Sequence, residues 1–337
     1  MFWLAGLLGV MVVGSMAAVI PSDAADDAED ISSDSDSEQI TPNSTALLEA
    51  AADSLGGDPL DRAGAPSGFV DDTGISAFPG DAEDNSIVGT EATDLMNGQA
   101  GNDTLSGLGG DDEMFGGDDG DRLSGGDEND TLHGEGGDDL LIGDAGRDDL
   151  FGHDGNDTID GGAGDDELHG GLGRDMLHGA EGNDALHGRE GNDSLNGGVG
   201  QDTLFAGDGD DVLIGFGGGD FGDGDLDFLN ANDGNDTLMV GARDVATGGD
   251  GEDTFVLGPL DSSAGPSTLM DFDSDEDRLV IVFDDTNGAP PEVTLISSTD
   301  TPGMVAVQLD GQTVTLLPAG SAPPLESIAL IGQSAAS

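Results

Sequence analysis

The sequence predicts an all-β fold, a solenoid of short repeated strands closed at its C-terminal end by a β-rich capping region. Three observations predict it. From Gly89 to Ile214 the chain repeats every nine residues, fourteen times without a slip. Two positions after one phase-locked Asp stands an apolar residue in every unit, from Met96, Leu105 and Met114 to Leu213. After Thr254 the period gives way to short β-type runs separated by turn residues. A short fixed period is the mark of a stacked architecture, in which each unit buries its apolar side only against its neighbours.

The phase-locked residues are Asp94, Asp103, Asp112, Asp121, Asp130, Asp139, Asp148, Asp157, Asp166, Asp175, Asp184, Asp193, Asp202 and Asp211. Five positions before the Asp stands Gly, as at Gly98, Gly107, Gly134, Gly143, Gly152, Gly161, Gly170, Gly179, Gly188 and Gly197. Two before it is Gly again, as at Gly101, Gly110, Gly137, Gly146, Gly155, Gly164, Gly173, Gly182, Gly191 and Gly200. Ala206 departs from the first rule, and Ala92, Asp119 and Glu128 from the second. The unit therefore reads G-x-x-G-x-D-x-U-x, with U apolar. Asp236 belongs to a later copy, and a clear one runs from Gly248 through Gly251 and Asp253 to Val256.

This unit resembles the nonapeptide of RTX (haemolysin-type) calcium-binding proteins. The resemblance implies a parallel β-roll, or β-helix, whose turns hold Ca2+. It assigns a carboxylate ligand to each Asp named above. It assigns exposed turn carbonyls to the Gly residues at the first and fourth positions, and to Gly248 and Gly251.

Physical chemistry gives each position a reason. The last three residues of a unit, such as Thr104-Leu105-Ser106, form a short strand with its middle residue turned inward. The first six form a turn in which Gly tolerates positive φ. Two units make an eighteen-residue coil with a strand on each side, so seven coils give a rod of roughly 34 Å. The regular block holds 33 Asp and Glu against four Arg. Stacking such turns places Asp over Asp, and the repulsion reverses if a cation sits between them. Hard oxygen ligands suit Ca2+, which takes six to eight. Ions between turns eighteen residues apart would number up to about twelve in the regular block. The affinity expected of such extracellular modules is ~10⁻⁴ to 10⁻³ M.

The rest of the chain follows in order. Residues 1–20 are an uncharged apolar run, just long enough to cross a bilayer, and are read as a membrane anchor or a signal segment. Residues 21–84 are rich in Asp, Ser, Ala and Gly and read as an acidic, disordered linker, with a short helix expected at Thr45–Leu55. Asn85-Ser86-Ile87 reads as a degenerate first repeat, so the roll is assigned to 85–257. Gly215–Phe221 interrupts the phase, and Val240–Thr247 is one residue short of a unit. Residues 258–337 form the β-rich capping region. Strands are expected at Thr268–Phe272, Arg278–Phe283, Glu292–Ile296, Met304–Leu309, Gln312–Leu317 and Ser327–Ile331, with Asp310-Gly311 as a two-residue hairpin turn. This segment resembles the region that follows the repeats in RTX proteins. The resemblance implies a secretion signal read by a type I secretion apparatus, although such substrates usually lack an apolar N-terminus.

Composition excludes several functions. A formal net charge of −65 over 337 residues excludes nucleic acid as a partner. There is no Cys nucleophile, H-E-x-x-H or G-x-S-x-G, and without Lys no P-loop. Paired carboxylates such as Asp165-Asp166 recur too often to mark acid–base catalysis. His133, His169 and His187 share a phase of eighteen and one outward face with Phe115, Phe151 and Phe205; His178 lies on the other. These His residues are expected as exposed polar positions, and the Phe residues as a weak contact face. The reading is a non-enzymatic calcium-binding repeat protein, secreted or tethered at the cell surface through residues 1–20, that folds on meeting extracellular Ca2+. Its role would be structural or adhesive, with a surface ligand the sequence does not name. The alternative is a calcium-dependent folding and type I secretion module of a secreted effector or enzyme.

Overall fold

The computed structural model describes residues 69–70, 75–217, 225–258, 265–285 and 290–332. The expected N-terminal anchor or signal, most of the linker and the short helix at 45–55 lie outside the described residues. The described chain is all-β apart from one 3-10 turn, Leu325–Ser327. Successive units alternate between two sheets, of fifteen and twelve strands. Within each sheet, neighbouring strands of the regular block are parallel and offset by eighteen residues, as in Ile159↔Leu177 and Leu168↔Leu186. The chain thus winds as a parallel β-roll, two nonapeptides to a coil.

Strands are six residues long rather than three, as in Thr104–Gly109 and Thr158–Ala163. The ladder runs through the last three residues of one unit, skips the Gly that opens the next, and resumes at its second and third residues. The alternation B-i-B at Leu132 and Gly134 recurs in strand after strand. It points the apolar U residue and the first Gly inward and the residue between them outward. The U residues of both sheets fill one continuous core from Phe78 to Phe255 and beyond, and most are 0 % exposed.

Seven extra residues separate Asp202 from Asp227 beyond the usual eighteen, yet Leu204 still pairs with Leu229. The ladder thus keeps its register across the insertion. The unit shortened at Val240–Thr247 behaves likewise, with Leu229 pairing with Ala246. Parallel pairing also begins earlier than the repeat pattern, at Ser76–Pro79, where Phe78 lies beside Met96.

At the C-terminal end the fifteen-stranded sheet takes Gln312–Pro318 as a parallel neighbour of Ser267–Leu269, then turns antiparallel through Met304–Leu309 and Val293–Ser297. The Asp310-Gly311 turn has φ of 49° and 84°, both left-handed, as a tight hairpin of matching twist requires. The twelve-stranded sheet ends with Arg278–Phe283 against Ala329–Gly332. Phe255 meets Phe272 edge-on at 5.7 Å, where the roll core passes into the cap.

Candidate metal centre

Each phase-locked Asp closes a turn just before its strand, and the fold buries it. All sixteen candidates, Asp94 to Asp253, are at most 4 % exposed. One carboxylate oxygen has a structural task. Asp157 Oδ1 accepts the backbone N–H of Asp139 at 2.8 Å, and Asp139 Oδ1 accepts that of Asp121 at 2.7 Å. The column continues from coil to coil, so each Asp from Asp103 to Asp211 satisfies a turn N–H eighteen residues before it.

The other oxygen has no such task. Oδ2 of Asp103, Asp112, Asp121, Asp130, Asp139, Asp148, Asp157, Asp166, Asp175, Asp184, Asp193, Asp211 and Asp236 is buried with no hydrogen-bond partner. A buried, unpartnered carboxylate oxygen demands either a proton or a cation. Burial pushes Asp157 and Asp184 up to about 7, with neighbouring carboxylates adding to the rise against the opposing backbone hydrogen bond. Asp130 is pushed up to about 8 in the same way.

The two Gly positions shape the space around this oxygen. A Cβ on Gly152 would overlap Asp157 Oδ2 and stand 2.7 Å from the Gly170 carbonyl oxygen of the next coil. A Cβ on Gly155 would overlap the Gly137 carbonyl oxygen and stand 3.2 Å from Asp157 Oδ1. Gly155 also has φ of +151°. The first Gly is therefore required by space, and the fourth by space and backbone together. Carbonyl and carboxylate oxygens converge about these two residues, with no donor among them. That is a donor set for a hard cation.

Among the described residues, no three His, Cys, Asp or Glu side chains gather at one point. One turn thus supplies few carboxylates, and carbonyls must complete any shell. The residues present fit calcium. Such an ion would be held by the Asp Oδ2 atoms and the Gly carbonyls and would supply the positive charge these oxygens lack.

The ends differ from the middle. Asp94 Oδ2 accepts the Thr90 N–H, and Oδ1 lies 3.2 Å from Thr90 Oγ1. Two further members of the column, Asp227, at which the sequence pattern resumes after the insertion, and Asp244, were not among the candidate ligands. Asp202 N donates to Asp227 Oδ1 at 2.9 Å and Asp227 N to Asp244 Oδ1 at 3.2 Å, across spacings of 25 and 17 residues. The shortened unit hid Asp244, though it still stands two residues before the core Ala246. Also missed was the second position of the unit, where φ is positive whether or not the residue is Gly: Gln99 84°, Leu108 82°, Ala180 81°, Arg189 84°.

A second, exposed ladder runs beside the first. Asp138, Asp165 and Asp210 each accept the backbone N–H and side-chain amide of Asn156, Asn183 and Asn235 one coil on. These hydrogen bonds hold the three carboxyls below their ordinary value.

The expectation of exposed His positions needs correction. Phe115, His133, Phe151, His169, His187 and Phe205 form one stack on the longer sheet, with centroids 4.8–5.3 Å apart. The rings cover one another, so the three His are half-buried, and burial together with the nearby His153 pushes His133 down to about 4. His178 is the exception, exposed on the other sheet 3.5 Å from Asp160.

One family model matches the repeats. Residues 79–114, 115–150, 142–177, 178–213 and 196–227 match the family model described as RTX calcium-binding nonapeptide repeat (4 copies). A search of curated proteins found no match. Among solved structures, the AlgE6R3 subunit of the Azotobacter vinelandii mannuronan C5-epimerase aligns at 24 % identity, covering 50 % of this chain and 78 % of that one, with a TM-score of 0.23. The extracellular lipase LipA from Serratia marcescens aligns at 17 % identity, covering 65 % of this chain and 40 % of that one, with a TM-score of 0.18.

Proposed function

From the premise that residues 79–227 are an array of RTX calcium-binding nonapeptide repeats, we propose that the chain is a non-enzymatic protein whose fold is completed by Ca2+ outside the cell. The observation that carries this reading is the column of buried Asp Oδ2 atoms without donors. Thirteen such oxygens cannot all stay ionised in a stable structure without compensation, and from Leu123 to Leu195 the apolar core is only one residue per strand. Binding free energy then becomes folding free energy, and the unliganded chain stays extended.

The chain's own residues divide the work. Asp Oδ1 atoms tie coil to coil through turn N–H groups. Asp Oδ2 atoms and the carbonyls of Gly at the first and fourth positions present the oxygen set. U residues fill the core. Weak sites of this kind fill at millimolar calcium, which supports a location at the cell surface or in the surroundings. No helix among the described residues is long and apolar enough to cross a membrane. A tether would therefore rest on residues 1–20, and export by a type I apparatus on the capping region. With no catalytic motif in the sequence, the role is structural or adhesive.

Far-UV circular dichroism of the full chain during calcium titration, with magnesium as control, tests this. A cooperative gain of β-structure near millimolar Ca2+, absent with Mg2+, is expected. Unchanged β-structure in chelator would overturn the coupling of folding to calcium.

A further inference from the structure

Outside the acidic turns, one pair of side chains brings ligand atoms together. His133 Nδ1 and His153 Nε2 lie 3.1 Å apart. The two residues are on neighbouring strands, Thr131–Gly136 and Asp149–Asp154, two residues out of register. His133 is held between Phe115 at 4.9 Å and Phe151 at 4.8 Å, with ring planes within 11° of parallel. His153 is exposed and sits at the second position of its unit, where φ of 77° turns its side chain back toward His133.

We propose that His133 and His153 form a two-imidazole site for a divalent transition-metal ion of the copper, nickel and zinc class, separate from the acidic turns. Two nitrogens bound about 2.05 Å from one ion stand about 2.9 Å apart at a right angle and about 3.4 Å apart at the tetrahedral angle. The observed 3.1 Å falls between these values. The ring centroids are 5.3 Å apart, so the two nitrogens now point at each other and hold one shared proton. An ion takes the place of that proton when the exposed His153 ring tilts, bringing both lone pairs to one point. His133 does not need to move, since the stack already fixes its ring.

Ligand chemistry separates this site from the calcium column. Imidazole nitrogen suits Cu2+, Ni2+ and Zn2+, whereas carboxylate and carbonyl oxygens suit Ca2+. No third His, Cys, Asp or Glu side chain joins the pair among the described residues, so water completes the shell. The order of affinity follows as copper above nickel and zinc.

The test uses the full chain in excess calcium, so that the turns are occupied. One equivalent of Cu2+ is added, affinity is read by calorimetry, and imidazole nitrogens by electron paramagnetic resonance. A first ion bound by two imidazole nitrogens is expected. His153→Asn, chosen because Asn tolerates left-handed φ, should weaken it by about tenfold or more and leave one nitrogen in the spectrum. His133→Phe, which keeps the ring stack, should do the same. His178→Asn on the opposite sheet should change neither. Equal affinity and spectrum in His153→Asn and wild type, or a first ion without imidazole nitrogen, would overturn the proposal. Circular dichroism in calcium confirms that each variant is folded.

Discussion

Replacing Asp157 by Asn separates the two tasks of the repeated carboxylate. The amide oxygen of Asn keeps the acceptor for Asp139 N–H, now 2.8 Å from Asp157 Oδ1. In place of the donorless Oδ2 it puts an NH2 group, beside the Gly170 carbonyl that flanks the same space. Without calcium the substitution removes a buried charge. Its penalty can be sized from the carboxyl, which is raised from 3.8 to about 7 chiefly by burial. A rise of about three units at about 1.36 kcal/mol each gives about 4 kcal/mol at neutral pH. Water penetration and relaxation at the edge of a thin roll reduce this to about 2 kcal/mol. With calcium the sign reverses, because a charged ligand is lost and the ion count falls.

Asp157→Asn should therefore be more stable than wild type in chelator and need more Ca2+ to reach its full β-signal. Combining it with Asp139→Asn and Asp175→Asn in the same column enlarges both effects, less than additively because the three share hydrogen bonds. The concentration of a stabilising osmolyte needed to raise β-signal in chelator, and calcium titration, both followed by circular dichroism, supply the two readings. A variant less stable in chelator, with an unchanged calcium midpoint, would refute the argument. The Asp would then be a turn cap and nothing more.

Three further outcomes follow from the same geometry. In chelator, β-structure should grow as pH falls. Asp112, Asp121, Asp148 and Asp236 are raised to about 7, so the folded chain binds more protons than the unfolded one between roughly pH 7 and 4, and stability falls as pH rises through that window; a flat or inverted pH profile would contradict it. Gly164→Ala should lose about 2–4 kcal/mol in saturating calcium, since φ is +152° and the new Cβ would overlap the Gly146 carbonyl; thermal unfolding measures it. Ala180→Gly should gain about 0.5–1 kcal/mol by relieving φ of 81°, net of the entropy Gly adds to the unfolded chain; a lower melting temperature would argue against strain at the second position.

Much of this was legible in the sequence because the period is a direct image of the coil. The U residues had to be core, and the parallel offset of eighteen followed from two units per turn. The Asp310-Gly311 hairpin was legible for a local reason, since only left-handed residues close so tight a turn. Other features were hidden because they lie between coils. Nothing in one nonapeptide shows that Oδ1 of its Asp takes an N–H from the coil before, as Asp166 does from Asp148 at 2.9 Å. Positive φ at the second position was masked because Gln99, Leu108 and Arg189 occupy it. The shared phase of eighteen put His133 on one face with Phe115 and Phe151, but that the rings cover one another and half-bury it depends on side-chain orientations the period does not carry.

The two ends of the Asp column show where a cation is needed. At the N-terminal end Asn85 takes the Asp position, and its side chain is used locally, accepting the Asp81 N–H at 2.7 Å. Asp94, the first Asp, has Oδ2 satisfied by the Thr90 N–H. Within the shortened unit, Asp244 Oδ2 accepts the Gly241 N–H at 2.6 Å, and in the cap Asp277 Oδ2 accepts that of Asp273 at 2.7 Å. Between these limits the oxygens from Asp103 to Asp193 find no donor. If the column served only to cap turns, interior and terminal turns would treat Oδ2 alike. Instead the chain neutralises it with its own N–H groups at the ends and leaves it bare where turns lie on both sides. The demand for a cation thus arises from stacking, not from any single repeat. An isolated nonapeptide has no site to fill, and calcium uptake and coil formation must proceed together.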